Sequence, residues 1–173
     1  MPKIGLNIIV GIIGSVLPLV ALSLPLYFLS INVLAYNLKV TLYAYGLSQT
    51  GNIPGIPSIT PPAEFQIVFN VLAIVLLLAT VLGLLGCFWK RGFLIGGGIL
   101  ALLPPLLLAI GLPLVIEEMT GLKSMSWSGT LTIPFEAGIS ATVTWGPELG
   151  WYVSIVAAIL MFVGFFVARL GKG

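Results

Sequence analysis

Residues 65 to 116 read FQIVFNVLAIVLLLATVLGLLGCFW, then Lys90-Arg91-Gly92, then FLIGGGILALLPPLLLAIGLPLVI. Each half is about long enough to cross a hydrocarbon core of about 30 Å, which takes about 20 apolar residues. The basic turn between them is too short for anything but a tight reversal. Two membrane-spanning helices joined on one side of a bilayer are therefore expected here. Working outward, apolar runs of similar length occupy residues 6–29 and 149–170. No Asp, Glu, Lys or Arg interrupts the interior of any of the four. The first run follows Lys3 and contains Ala21-Leu22-Ser23, a possible cleavage site of a signal peptide, but it continues to Leu29, beyond a typical signal core. It is read as a fourth span.

Composition agrees. Of 173 residues, 59% are hydrophobic and 7% charged, against roughly a quarter charged in a soluble domain. The sequence has no His, no Asp and one cysteine, Cys87. The usual ligands of zinc, copper, haem iron and iron–sulfur clusters are thus missing, so no metal or cofactor is expected. The same counts remove His-based acid–base catalysis, Cys–His nucleophiles and internal disulfides. The basic residues are scattered, which leaves no nucleic-acid footprint.

Orientation follows from the positions of Lys and Arg. Lys3, Lys90, Arg91, Arg169 and Lys172 share the side of both termini and the inner turn, whereas only Lys39 and Lys123 join the five glutamates on the other. Both termini are expected to be cytoplasmic in a cell-membrane protein. Tyr27, Phe28, Trp145, Trp151 and Tyr152 suit the outer headgroup level.

Two outer loops remain. In residues 36–45, Tyr36, Leu38, Val40, Leu42 and Ala44 alternate with Asn37, Lys39, Thr41, Tyr43 and Tyr45, the period of a half-buried strand. Residues 46–62 read as an irregular crossing. Residues 126–133 and 139–145 alternate again, Trp127, Leu131, Ile133, Ile139 and Val143 against Ser and Thr, and form a hairpin. An isolated hairpin is marginal in water, so it is expected to pair with the 36–45 strand in one small extracellular antiparallel sheet. The fold class is a membrane all-α four-helix bundle, one domain over residues 1–173, with helices at about 6–29, 65–89, 93–116 and 149–170.

This layout, with cytoplasmic ends, a very short inner turn and a strand-bearing first outer loop, resembles the claudin and peripheral-myelin-protein tetraspan architecture. The resemblance is one of topology. The first outer loop lacks the Trp, Gly-Leu-Trp and paired-Cys signature of claudins, and the second lacks the tetraspanin Cys-Cys-Gly, so no functional residue is carried over.

Ionisable groups inside a membrane mark transport pathways and proton relays, and the interiors of the spans contain no Asp, Glu, His, Lys or Arg. Ser15, Ser23, Asn70, Thr80 and Ser154 are expected as buried polar groups acting as glue. Glu64 and Glu148 suit first turns of helices, whereas Glu117 and Glu118 end the third helix at the water boundary as solvated groups. Pro18, Pro25, Pro104, Pro105 and Pro113 are expected to kink or unwind the first and third helices. Gly96-Gly97-Gly98 lacks the context of a phosphate loop and reads as a flexible or closely packed segment at the cytoplasmic end. Gly150, Ser154 and Ala158 recur every four residues on the fourth helix and serve packing inside the bundle or between protomers.

The function expected is that of a non-enzymatic cell-surface structural or interaction protein, assembling as a homo-oligomer or with a partner membrane protein through its sheet, with membrane lipids around it and no small-molecule substrate. The candidate contact residues are Tyr43, Tyr45, Trp127, Gly150, Ser154 and Ala158. The alternative is an accessory, non-catalytic subunit of a larger membrane enzyme or transporter, and the remainder covers a channel, a transporter or a lipid-modifying enzyme.

Overall fold

A computed structural model of the chain describes residues 5–51, 63–120, 126–134 and 139–170. In chain order these form α1 (Leu6–Ser23), β1 (Tyr27–Val33), β2 (Tyr36–Tyr43), β3 (Gly46–Gly51), α2 (Ala63–Phe88), α3 (Gly92–Thr120), β4 (Gly129–Pro134), β5 (Ser140–Pro147) and α4 (Leu149–Leu170). Within α2, α3 and α4, Gln66–Phe88, Gly92–Leu114 and Leu149–Val167 are long and apolar enough to cross a membrane. Four helices, three of them of this kind, with one antiparallel sheet are compatible with a claudin-like topology.

The first helix is shorter than its apolar run. It ends at Ser23, Leu24 is extended at φ −100° and ψ 151°, and Pro25 follows. A residue before proline is pushed out of the helical region, so Leu24 breaks α1. The apolar count then runs on into Tyr27–Val33, whose aromatic and β-branched residues form a strand instead. Pro25 consequently kinks nothing, because it sits in the corner between helix and strand. In contrast, α3 continues as helix through Pro104, Pro105 and Pro113 and reaches Thr120, beyond the boundary expected near Ile116.

The sheet has five strands in the order β3-β2-β1-β5-β4. Its register corrects two expectations. The 36–45 strand does not pair with the hairpin: β1 lies between them, with Leu29 opposite Val40 on one side and Trp145 on the other. Residues 46–51 are also a strand, paired with β2. The β4–β5 hairpin pairs as expected, Leu131 opposite Val143. Its loop at residues 135–138 lies outside the described residues, as do Lys3, Lys123, Glu136, Lys172 and residues 52–62.

Each helix packs on two neighbours, α1 and α3 both contacting α2 and α4. One apolar core lies under the sheet, where Leu26, Tyr27, Ala44 and Trp145 meet Phe69, Leu72, Leu76 and Leu108 from α2 and α3. A second lies among the helices, around Ala79, Leu94, Ala101, Ala157, Ala158 and Met161. There the helices approach to backbone contact. A Cβ on Gly97 would lie 2.9 Å from the Ala79 carbonyl, the Gly83 nitrogen and the Met161 Sδ. Within the glycine triplet, Gly97 and Gly98 thus pack closely, whereas a Cβ on Gly96 would make only ordinary contact with Leu82 at 3.6 Å.

Ser15, Thr80 and Ser154 are buried, and each hydroxyl donates to the carbonyl four residues back, Gly11, Leu76 and Gly150. Two other expected members of that set differ. Ser23 and Asn70 are exposed, because Ser23 is the last residue of α1 and Asn70 lies on the outward side of α2.

Candidate interaction surface

Alternation in the strands sorts the sheet into two faces. The apolar face, with Tyr27, Leu42, Trp145, Leu131 and Val143, packs into the core above α2 and α3. The opposite face carries Ser30, Asn32, Asn37, Lys39, Thr41, Thr130, Thr132, Thr142 and Thr144 in neighbouring positions. It is held by side-chain hydrogen bonds, Asn37 donating to Ser30 and Asn32, and Thr130 pairing with Thr144 across the hairpin.

Near the middle of this polar face, Lys39 pairs with Glu148 at 2.5 Å while its ammonium lies 5.2 Å above the Phe28 ring. Glu148 therefore does more than complement the start of α4. It ties that helix to β2. The two side chains are 40% and 21% exposed, so the pair is worth at most about 1 kcal/mol. Its use is to fix the position of one cation. The charge pattern alone did not disclose this pair, since the two residues are far apart in sequence.

The six candidate contact residues fall into three places. Tyr43 and Tyr45 stack on each other at 5.4 Å, at the β2–β3 turn. Tyr45 is 53% exposed, and its carbonyl accepts a hydrogen bond from Gln66 Nε2 at the start of α2. The tyrosine pair thus stands beside β3, one of the two edge strands. Edge strands offer unpaired backbone groups to a neighbour, and the other edge, β4, ends in Pro134.

Trp127 lies elsewhere, just before β4. It stacks on Trp151 of α4 at 5.5 Å, and Trp151 meets Tyr152 edge-on. The Trp151 indole donates to the Pro105 carbonyl at 2.9 Å. The segment before β4 is fastened from below as well, with the Tyr27 hydroxyl donating to the Trp127 carbonyl and Trp145 Nε1 to the Ser126 carbonyl. Burial pushes the Tyr27 phenol up to about 12, because the charged form would lose its water.

Gly150, Ser154 and Ala158 are all buried within the chain. A Cβ on Gly150 would lie 2.8 Å from the Pro25 carbonyl, and the Gly150 amide donates to that same oxygen. This glycine lets α4 begin against the corner that ends α1.

Sequence reasoning missed two exposed features. Leu34, at the β1–β2 turn, has φ +54° and is 74% exposed; nothing in the amino-acid pattern marks a leucine for the left-handed region. The other is a cavity of about 230 Å³ between α2, α3 and β2, lined by Leu42, Val68, Phe69, Leu72, Leu107, Leu108, Gly111 and Leu112. Its walls bear no nucleophile and no titratable group.

No protein-family model matches this chain, and no curated protein matches it in sequence.

Proposed function

We propose that this is a non-enzymatic, multi-pass protein of the cell membrane, a claudin-like four-helix bundle with cytoplasmic termini. It displays the five-stranded sheet outside the cell and assembles with copies of itself through it. The observation that carries the reading is the division of the sheet. The inner part of its apolar face, around Tyr27, Leu42, Trp145, Leu131 and Val143, packs against the protein's own helices, so what faces other molecules is chiefly a Ser/Thr-rich face and an edge strand flanked by the stacked Tyr43 and Tyr45. Aromatics with few charges suit a contact surface, where charges are costly to desolvate, and an open edge adds a strand from a neighbour. The excess of Lys and Arg on the side of the Lys90-Arg91 turn supports the orientation.

Light scattering of the detergent-solubilised protein tests the proposal. The parent is expected to be a homo-oligomer, and Tyr43→Ser/Tyr45→Ser is expected to shift it toward monomer with its melting unchanged. A monomeric parent, or a double variant that keeps the parent's mass, contradicts assembly through the sheet. A constant heterologous companion on purification favours the accessory-subunit reading instead.

A further inference from the structure

The outward side of α2 has two properties that together point to a partner. Asn70, Ile74, Leu77, Val81, Leu84 and Phe88 recur at alternating steps of four and three and so share one helix face. Ile74, Leu77, Val81 and Phe88 are exposed, as are Ile67, Val71, Leu78 and Leu85 on the adjoining strip, and Leu84 is half-buried at the margin, so it is Asn70 that marks this face out. In a heptad these are d and a positions, with β-branched Ile74 and Val81 at a and Leu77 and Leu84 at d. In water that combination favours two parallel strands; in lipid, which removes the hydrophobic drive, it supplies packing only and a polar group must select the partner.

The second property is an unmet hydrogen-bonding capacity. Asn70 Oδ1 accepts from Gln66 Nε2 at 3.4 Å, but no described group accepts from the Asn70 amide hydrogens. Asn70 lies seven residues from Leu77, the centre of the Gln66–Phe88 span, or about 10 Å at 1.5 Å per residue. A hydrocarbon half-thickness is about 15 Å, so lipid surrounds the side chain and offers it no acceptor.

An acyl chain fills such a face without satisfying the amide. A second copy does both, because an asparagine carries donor and acceptor and is self-complementary across a two-fold axis. An axis along the membrane normal also makes the two helices parallel, as the seam requires. We propose that α2 is the membrane-embedded part of a homodimer interface, a parallel left-handed helix pair in which the two Asn70 amides hydrogen-bond to each other. The proposal rests on the homomeric reading above and moves its closest contact into the bilayer. Gln66, which bonds both Asn70 and the Tyr45 carbonyl, places the tyrosine pair at the outer end of the seam.

The experiment uses single cysteines at 71, 74, 75, 77, 78 and 81 in a Cys87→Ala background, oxidised in native membranes. Disulfide-linked dimers are expected at 74, 77 and 81 and not at 71, 75 and 78. Asn70→Leu is expected to weaken dimerisation by about tenfold while helix content and melting stay those of the parent. Equal cross-linking at all six sites, none at any, or an Asn70→Leu variant that dimerises like the parent overturns the proposal. Repeating the series with Tyr43→Ser/Tyr45→Ser separates the two interfaces. Cross-links that survive uphold the α2 dimer and remove the need for the sheet. A tyrosine-dependent mass with no seam cross-links upholds the sheet and removes α2.

Discussion

Adding one methyl group at Gly97 tests the helix packing at its tightest point. The new Cβ would meet two backbone atoms of α2 and the Met161 sulfur of α4, each at 2.9 Å, where ordinary contact starts at about 3.4 Å. Half an ångström must be found. Moving α3 off α2 drives the methyl toward Met161, and the α2 atoms belong to a helix backbone that cannot rotate aside. Overpacking of this kind costs about 1–3 kcal/mol, while alanine gains about 1 kcal/mol over glycine as a helix former. The propensity gain is removed by a control in the same helix. Gly111 has nothing within 4 Å of its Cβ position, so Gly111→Ala receives the propensity gain alone. The difference in unfolding free energy between the two alanine variants is thus expected to be about 1–3 kcal/mol, with Gly97→Ala the less stable. Reversible unfolding in mixed micelles, followed by far-UV circular dichroism, measures it. Two variants of equal stability would refute the close approach of α2, α3 and α4.

Two further outcomes follow from the sheet. Leu131→Asp puts an unpaired charge into the core under the sheet and is expected to cost about 3 kcal/mol or more, whereas Thr132→Asp on the polar face is tolerated; equal losses in detergent melting would contradict the register. Folding raises the Tyr27 phenol from 10.0 to about 12, so the folded state holds its proton longer than the unfolded state. The resulting contribution is complete below about pH 10 and falls as pH rises toward about 12, by about 1.4 kcal/mol for each tenfold difference in proton affinity. Stability curves of the parent and Tyr27→Phe across that window are expected to converge as pH rises, and parallel curves would contradict the burial.

The helices long and apolar enough to span a membrane were legible because lipid demands a long uninterrupted apolar run, and α2 and α4 begin and end within two residues of where that run does. The end of α1 was not, although Leu24-Pro25 carried the signal. A count of apolar residues cannot tell a helix from a strand that continues it, and Tyr27–Val33 is apolar in both readings. Missing β1 also misplaced the partner of the 36–45 strand, since alternation assigns faces but not neighbours. For the candidate surface, alternation did place Thr130 and Thr132 opposite Leu131 and Ile133. It could not show that Tyr43 folds back onto Tyr45, that Lys39 finds Glu148, or that Trp127 is fastened by Tyr27, because each contact depends on the path of the chain between elements. Asn70 was misjudged as buried for a related reason: on a helix apolar all round, only its neighbours decide which side faces out.

The account depends most on the sheet and the Lys90-Arg91 turn lying on opposite sides of a cell membrane. Single cysteines at Thr132 and Lys90, in the Cys87→Ala background, put this to an impermeant thiol reagent applied to intact cells. Labelling of Thr132→Cys from outside, with Lys90→Cys labelled only after permeabilisation, is the predicted result. Labelling of Lys90→Cys in intact cells, or protection of both sites or neither, would contradict it.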